Sequence, residues 1–389
     1  MLNHFNLAKQ LAEQGEQGRY RSLTHVSQGV TPTLTVDGNT YLNFASNDYL
    51  GLASHPAVVQ SLADATRELG QVGSGASHLI TGHHIWHDEL ATTLAVASGY
   101  ERALTFSTGY MANVGVIQAL CNKDTAIFSD KLNHASIIDG AILSRAQVVR
   151  FNHRDYVGLE QRLQASGAKQ KLIVTDHIFS MDGTLADLAI LQDLAQRYDC
   201  ALMVDDAHGF GLPYQAYQAT QATSAAIPKA DIYIGTLGKA IGTSGAFVAG
   251  SHALIDYLIN FARSYIYTTA TPPALAKATQ TAVQVAIADT KRHQQLLANI
   301  QQLTQGLSHQ GWQVGIDDKV PNTAIIPVMI GDNDKAVYLS QQLKQQGMWV
   351  SAIRPPTVPV GTARLRFCVS AAHSSQQIAD LLQVMQRLQ

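Results

Sequence analysis

Short apolar runs alternate with longer stretches of helical pattern between about residue 46 and residue 285. The runs lack a polar face, as strands do when helices cover both sides of a sheet. Strands that alternate with helices need crossover connections, so the pattern predicts an α/β fold with a mostly parallel central sheet and helices on both faces. The runs on which this prediction depends are Ala103–Phe106, Ala126–Ser129, Leu172–Thr175, Ala201–Val204, Ile232–Ile234 and Ala246–Ala249.

Two flanking regions depart from this pattern. Residues 1–45 resemble an amphipathic helix followed by two short strands around a turn at Asp37 and Gly38, which predicts an N-terminal arm. From residue 286 the pattern changes to a Gln-rich helix, two strands and a terminal helix. We therefore expect a large domain over 46–285 and a smaller C-terminal α+β domain over 286–389, which a chain of 389 residues can accommodate.

The composition excludes several classes of function. Hydrophobic residues make up 46% of the chain, which is enough for a buried core. The net charge is −2 and there is no run of Lys or Arg, so the chain lacks the basic patch typical of nucleic-acid-binding proteins. No apolar run approaches the ~18 residues that a membrane helix needs. The three cysteines have neither disulfide nor zinc spacing, which favours a reducing compartment. We expect a cytoplasmic protein whose partners are small molecules.

Ligands of parallel sheets bind beyond the carboxyl ends of the strands, so the residues that follow each run are candidate site residues. One run ends directly before Asp205, with His208 shortly after it, and the next is followed by Thr236 and Lys239. For a lone Asp a helix cap or a structural ion pair would be the better interpretation. An acid and a lysine at neighbouring strand ends are what pyridoxal phosphate needs, because the acid keeps the pyridine nitrogen protonated and the lysine holds the aldehyde as an imine.

Two kinds of nucleotide-binding loop are alternative interpretations of the segment around Lys239. A phosphate-binding loop ending at Lys239 would need glycine at Tyr233 and a hydroxyl residue at Ala240, and neither is present. The glycines that follow do not have dinucleotide-loop spacing, and no acid stands about twenty residues further on at a strand end.

Three other strand ends carry candidate residues. Gly109 and Tyr110 open a helical stretch whose first amides could bind a phosphate, and Tyr110 offers a flat face to an aromatic ring. Ser180 could donate a hydrogen bond to a cofactor, and His134 could stack or transfer protons. Taken singly, these residues are equally consistent with a helix start, a turn and a structural histidine.

Two further patterns involve histidine and arginine. His83 and His87 stand four residues apart and would share one helix face, but Leu90 is next on that face and cannot bind a metal, so no metal site is expected. Arg364 and Arg366 share one face of a predicted strand. One of them could bind a carboxylate in a bidentate fork, although a solvated edge strand explains the pattern equally well.

Seven segments of the chain resemble, in the order in which they occur, segments of the α-oxoamine synthases, which are fold-type-I pyridoxal phosphate enzymes. The resemblance covers essentially the whole chain and therefore implies that fold. The segments are Ser46–Leu52, Ser107–Tyr110, Asn133–Ser136, Phe179–Gly183, Val204–Gly209, Thr236–Lys239 and Arg354–Arg366.

The resemblance implies roles for individual residues. Lys239 would hold pyridoxal 5'-phosphate as an imine and act as general base, Asp205 would pair with the pyridine nitrogen, and His134 would stack on the ring. The other cofactor contacts that it implies are Gly109, Tyr110, Ser180, His208 and Thr236, with Thr268 or Thr269 reaching the phosphate of a neighbouring subunit in a homodimer. The substrate contacts that it implies are Asn47, His134, Thr357, Arg366 and Arg21, and the sequence does not distinguish Arg21 from Arg19 in this role.

The resemblance also implies a reaction. Within this family the block from Ile353 to Arg366 favours condensation of L-alanine with a pimeloyl thioester, carried by CoA or an acyl carrier protein, with loss of carbon dioxide, in biotin biosynthesis. Family members that use glycine with another thioester, such as acetyl or succinyl, remain an alternative, and so does a cofactor-binding protein without turnover. One segment departs from the family: Gly211–Thr220 replaces the glycine-rich stretch that commonly follows His208 and Gly209.

Overall fold

The computed structural model describes residues 2–213, 229–316 and 319–389. The departing segment after Gly211 lies largely outside the described residues. The described helices are α1 (Leu7–Glu16), α2 (Pro56–Leu69), α3 (Ile85–Ser98), α4 (Gly109–Leu120), α5 (Ala135–Ser144), α6 (Tyr156–Ala165), α7 (Leu188–Arg197), α8 (His252–Phe261), α9 (Arg263–Ile266), α10 (Pro273–Ala288), α11 (Thr290–His309), α12 (Asn333–Gln345) and α13 (Ser375–Arg387), with a 3-10 turn at Leu2–Phe5 and a π-helical turn at His78–Gly82.

The described strands form three sheets. They are β1 (Val26–Gln28), β2 (Thr33–Val36), β3 (Asn39–Asn43), β4 (Arg102–Phe106), β5 (Thr125–Asp130), β6 (Gln147–Phe151), β7 (Gln170–Asp176), β8 (Ala201–Asp205), β9 (Ile232–Thr236), β10 (Ala246–Gly250), β11 (Ile325–Gly331), β12 (Met348–Trp349), β13 (Ser351–Ile353) and β14 (Ala363–Cys368).

The central sheet has seven strands in the order β4-β10-β9-β8-β7-β5-β6. The pairs that join β6, β5, β7, β8 and β9 are parallel, whereas β10 is antiparallel to both of its neighbours. The expected α/β fold with a mostly parallel sheet is thus confirmed. Asp176 pairs in register with Asp205, so two carboxylates stand side by side at the carboxyl ends of β7 and β8.

Two smaller sheets lie outside the central one. The first has the order β11-β14-β13, and the second, β1-β2-β3-β12, joins the N-terminal strands to a strand near the C-terminal end through the parallel pair β3 and β12. One of three buried apolar clusters includes Leu52, Phe247, Leu296 and Phe367, so this cluster extends from the central sheet to the C-terminal elements. The division of the chain at residues 45 and 285 remains a prediction.

The helices that begin at the carboxyl end of the sheet are capped by side chains. Thr108 accepts a hydrogen bond from the amide of Met111 at the start of α4, and His134 accepts one from the amide of Ser136 at the start of α5. Both helix starts therefore lie where the parallel strands end. None of the helices in the described part of the chain combines the length and apolar character that a membrane crossing requires.

Candidate active site

Lys239 lies at the end of a chain of buried hydrogen bonds. Its Nζ lies 2.7 Å from Nε2 of His208, and Nδ1 of His208 lies 2.7 Å from the hydroxyl of Tyr49. Tyr49 donates to Oδ1 of Asn47 over 3.0 Å, so it accepts from His208 Nδ1–H, and Nε2 of His208 is left to accept from Lys239. Asn47 Oδ1 also accepts from Arg366 over 3.1 Å.

Burial sets the protonation of this pair. It lowers the pKa of Lys239 from 10.5 to about 8, against the opposing charges of Asp205 and Asp176. Burial also holds the pKa of His208 well below its usual value, and the charge of Lys239 adds to this effect. Near neutral pH His208 is therefore an uncharged acceptor, and the lysine loses its proton more readily than an exposed lysine.

Asp205 is a buried carboxylate at the end of β8. Its Oδ2 accepts from Asn113 over 2.6 Å and its Oδ1 accepts from the amide of Ala207 over 3.0 Å. Burial raises the pKa of Asp205, and these hydrogen bonds and the charge of Lys239 counter it only in part. A cation placed directly against this carboxylate would therefore be stabilised.

His134 connects the two carboxyl-bearing strands to helix α5. Its amide donates to Oδ2 of Asp176 over 3.0 Å, and its Nδ1 lies 2.7 Å from the hydroxyl of Ser136. Ser136 accepts from the same Asn113 amide that holds Asp205. Burial and the neighbouring Asp205 raise the pKa of Asp176 well above its usual value.

These groups line a cavity of about 180 Å³, and the chemistry of its lining fits pyridoxal phosphate. Asp205 offers a carboxylate for a protonated ring nitrogen, and Lys239 offers an amine for the aldehyde. The start of α4 supplies helix amides for the phosphate, and a Cβ added at Gly109 would meet nothing closer than Thr236 Oγ1 at 4.0 Å. The lining residues are Gly109, Tyr110, Asn113, His134, Ser136, Asp176, Ile178, Ser180, Asp205, Ala207, His208, Thr236 and Lys239.

The two arginines of β14 differ in their surroundings. Arg364 forms a buried ion pair with Asp182, whereas Arg366 donates to the carbonyl of Ser180 over 2.6 Å and to Asn47. β14 is the middle strand of its sheet and all six residues are buried, so a solvated edge strand is excluded. Among the described residues no carboxylate lies within salt-bridge distance of Arg366, which leaves a buried cation without a counter-ion.

Six predicted residues do not line the Lys239 cavity. Asn47 and Arg366 reach it through the hydrogen bonds of Asn47 to Tyr49 and of Tyr49 to His208, whereas the other four lie further away. Arg21 and Thr357 line a separate, more open cavity of about 540 Å³, where the N-terminal arm meets the segment after β13. Arg19 and Arg354 line it as well. Thr268 and Thr269 line neither cavity; Thr269 is exposed and pairs with Ser77.

One geometric premise of the sequence argument is wrong. His83 and His87 do not share a helix face, because α3 begins at Ile85 and His83 precedes its capping residue, His84. The structure instead brings His78, from the π-helical turn, next to both of them.

Sequence reasoning did not single out Asn113, Ser136, Asp176, Ile178 and Ala207, which line the cavity, or Tyr49, which bonds to His208. Tyr49 lies inside a segment that resembles the family, but no local pattern indicates its bond to His208. Asn113 follows the helix start that was identified, one turn further on. Asp176 directly follows a predicted strand, as Asp205 does, and this position could have identified it.

Known proteins resemble this chain over its whole length. The family model described as aminotransferase class I and II matches residues 39–385. An 8-amino-7-oxononanoate synthase from Aromatoleum aromaticum is 46% identical over 98% of this chain and 98% of its own, and one from Nitrosococcus oceani is 49% identical over 94% and 95%. A solved structure of S. paucimobilis serine palmitoyltransferase with bound PLP–myriocin aldimine superposes with a TM-score of 0.90 at 28% identity, covering 100% of this chain and 98% of that one.

Proposed function

Because the chain belongs to the class I and II aminotransferase family and, within it, to the 8-amino-7-oxononanoate synthases, we propose that it condenses L-alanine with a pimeloyl thioester. The products are 8-amino-7-oxononanoate, carbon dioxide and the free thiol. The enzyme is a pyridoxal phosphate-dependent acyltransferase of biotin biosynthesis. The observation that carries the proposal is one cavity in which Lys239, with its lowered pKa, faces the buried carboxylate of Asp205.

Pyridoxal phosphate, when bound, supplies an electron sink for the charge that develops at Cα of the amino acid. Asp205 holds a proton on the ring nitrogen, and Asn113 and the amide of Ala207 fix its carboxylate in place. Gly109, Tyr110, Ser180 and Thr236 line the cavity and would hold the phosphate and ring. His134, fixed at the start of α5, would stack on the ring.

Lys239 acts as the base that takes the Cα proton of alanine. A base works best when its pKa is near the working pH, and burial has brought this amine to about 8. Neutral His208 accepts a hydrogen bond from the amine and so directs its lone pair into the cavity. Tyr49 fixes the tautomer of His208 by accepting from Nδ1.

Arg366 binds the carboxylate of alanine. Its guanidinium is buried, and its partners, the Ser180 carbonyl and the Asn47 amide oxygen, are uncharged. A carboxylate is therefore the ligand that best stabilises it, and a bidentate fork would orient Cα as well as bind it.

The thioester enters from the cavity at the N-terminal arm. Arg21 and Thr357 line this cavity and bind the acyl substrate. The additional guanidinium groups of Arg19 and Arg354 favour an anionic chain or carrier. CoA and an acyl carrier protein both carry phosphate, and comparison of the two as substrates decides which one the enzyme uses.

We further propose a homodimer in which Thr268 and Thr269 contact the phosphate of the partner's cofactor. Thr269 is exposed and lies outside its own cavity, and the side chain of Tyr267 beside them is 72% exposed. Sedimentation at assay concentration should give twice the chain mass, and a fully active monomer would contradict the proposal.

The three cysteines are unpaired, as in proteins of a reducing compartment, and we place the enzyme in the cytoplasm. Cell fractionation followed by detection of the untagged chain tests this placement, and recovery of the protein outside the cytoplasm would contradict it.

A substrate comparison tests the reaction. Purified enzyme is given L-alanine or glycine with pimeloyl-, acetyl- or succinyl-CoA, and carbon dioxide release and product mass are followed. We expect turnover to require L-alanine with the pimeloyl thioester and to be absent in Lys239→Ala. A preference for glycine with a shorter thioester would assign the chain the activity of another α-oxoamine synthase. If the coloured protein turned over none of these substrate pairs, the result would contradict a catalytic function.

A further inference from the structure

Three imidazole rings lie against one another near the start of α3. His78 comes from the π-helical turn, His83 from the residue just after it, and His87 from the first turn of the helix. None of the three lines the cavity around Lys239. They line a different cavity of about 530 Å³ together with Asp88.

The ring spacing matches a tetrahedral metal site. The ring centroids are 5.0 Å apart for His78 and His83, 4.9 Å for His78 and His87, and 5.3 Å for His83 and His87. With a metal–nitrogen distance of ~2.0–2.1 Å, each ring centroid lies about 3.2 Å from the ion, so two ligands at a tetrahedral angle have centroids about 5.2 Å apart. Packing of uncoordinated rings does not require all three centroid distances to lie this close to the tetrahedral value.

Hydrogen bonds orient two of the rings for this role. Nε2 of His83 lies 3.0 Å from Oδ1 of Asp88, and its Nδ1 lies 2.8 Å from Nδ1 of His78. When His83 donates Nε2–H to the carboxylate, its Nδ1 lone pair points towards His78. A carboxylate behind a histidine is the arrangement that fixes the tautomer of a metal ligand. A bound ion would take the place of the proton between the two Nδ1 atoms, and this proton would move to Nε2 of His78.

The third ring has a competing role. Nδ1 of His87 accepts from the amide of His84 over 2.9 Å, and its Nε2 lies 2.8 Å from the carbonyl of Thr271. Coordination by His87 therefore exchanges one of these hydrogen bonds for a metal bond. The lost hydrogen bond lowers the affinity for the ion. Because His87 contacts the carbonyl of Thr271, an ion bound to His87 is linked to the segment that contains Thr269, which pairs with Ser77.

We propose that His78, His83 and His87 bind one divalent transition-metal ion of the zinc class per chain, with the fourth position open to the adjoining cavity. The ion joins the π-helical turn to α3 and stiffens the neighbouring segment around Thr269. The sequence had suggested no metal site because Leu90 stands next on the helix face, whereas the fold supplies His78 from another turn.

Zinc titration of the untagged, cofactor-loaded enzyme after chelator treatment tests the proposal. Calorimetry should give one zinc ion per chain, and cobalt should give the intense visible bands of a tetrahedral site. His78→Asn and His83→Asn should each weaken zinc binding at least about 100-fold, and Asp88→Asn roughly 10–100-fold. His309→Asn, which changes an exposed histidine on α11, is the matched control and should leave binding unchanged.

Three results would overturn the proposal. They are an absence of zinc binding in the parent enzyme, equal affinity of the parent, His78→Asn and His83→Asn, and a weak octahedral cobalt spectrum. Retention of pyridoxal phosphate colour in His78→Asn and His83→Asn shows that these proteins are folded, so a loss of binding would report on the ligands.

Discussion

The buried ion pair between Arg364 and Asp182 should be a major contributor to the stability of the active-site wall. Arg364 is 2% exposed and Asp182 is 7% exposed. The pair connects β14, which carries Arg366, to the turn after β7, which carries Ser180. Removal of one partner leaves the other charge buried without a counter-ion, which costs about 3–5 kcal/mol in comparable sites.

Asp182→Asn isolates this effect, because it keeps the shape of the side chain and removes its charge. Arg364 would retain its bonds to the Thr362 carbonyl and hydroxyl, so we place the loss at the lower limit, ~3 kcal/mol. A loss of that size reduces the ratio of folded to unfolded protein about 140-fold. Arg364→Met should cost a similar amount.

A double-mutant cycle in urea measures the pair. Asp182→Asn, Arg364→Met and the double variant are unfolded at equilibrium and followed by circular dichroism, and we expect the double variant to lose at least ~2 kcal/mol less than the sum of the singles. The exposed pair Asp64 and Arg67 is the control, since neutralising it should cost less than about 1 kcal/mol. Single variants that lose less than ~1 kcal/mol, with additive effects, would refute the reasoning.

Three further predictions concern the Lys239 site. Cofactor-free protein should take up pyridoxal phosphate at a rate that rises with pH with a midpoint at about 8, because burial lowers the pKa of Lys239, and a midpoint near 10.5 would contradict this. The free energy of unfolding should also rise between pH 8 and 10.5, because the unfolded chain binds more protons than the folded chain in this range. Arg366→Ala should raise the KM for L-alanine roughly 100-fold, about 3 kcal/mol, with a smaller change for the thioester, and an equal effect on both would exclude carboxylate binding by Arg366. Tyr49→Phe leaves Nδ1 of His208 without its acceptor and should lower kcat about 10-fold in steady-state assays, so an unchanged kcat would show that this bond has no role in catalysis.

Much of the fold followed from local pattern. The predicted runs Ala201–Val204 and Ala246–Ala249 begin where β8 and β10 begin and end one residue before them. Strand β6 was missed because only its last residue is buried, so it lacks an apolar run. Strand β10 is antiparallel to β9 because segment 237–245 returns the chain without a crossover helix, and apolar periodicity does not report strand direction.

The site was predictable where chemistry follows a strand. Asp205 and Lys239 each follow a buried run, and the fold brings them into one cavity. Tyr49 and His208 are 159 residues apart in sequence, and no local pattern links residues at such a separation. His78 was missed for the same reason, since its partners depend on how one turn packs against the next helix.

Borohydride reduction of the purified enzyme tests the central claim most directly, because it converts an imine into a stable amine that survives proteolysis. Peptide mapping by mass spectrometry should find one pyridoxyl group per chain, on the peptide that contains Lys239, and none on that peptide in Lys239→Ala. A modified lysine elsewhere, or an unmodified chain from protein supplied with pyridoxal phosphate, would contradict the assignment of Lys239 as the residue that holds the cofactor.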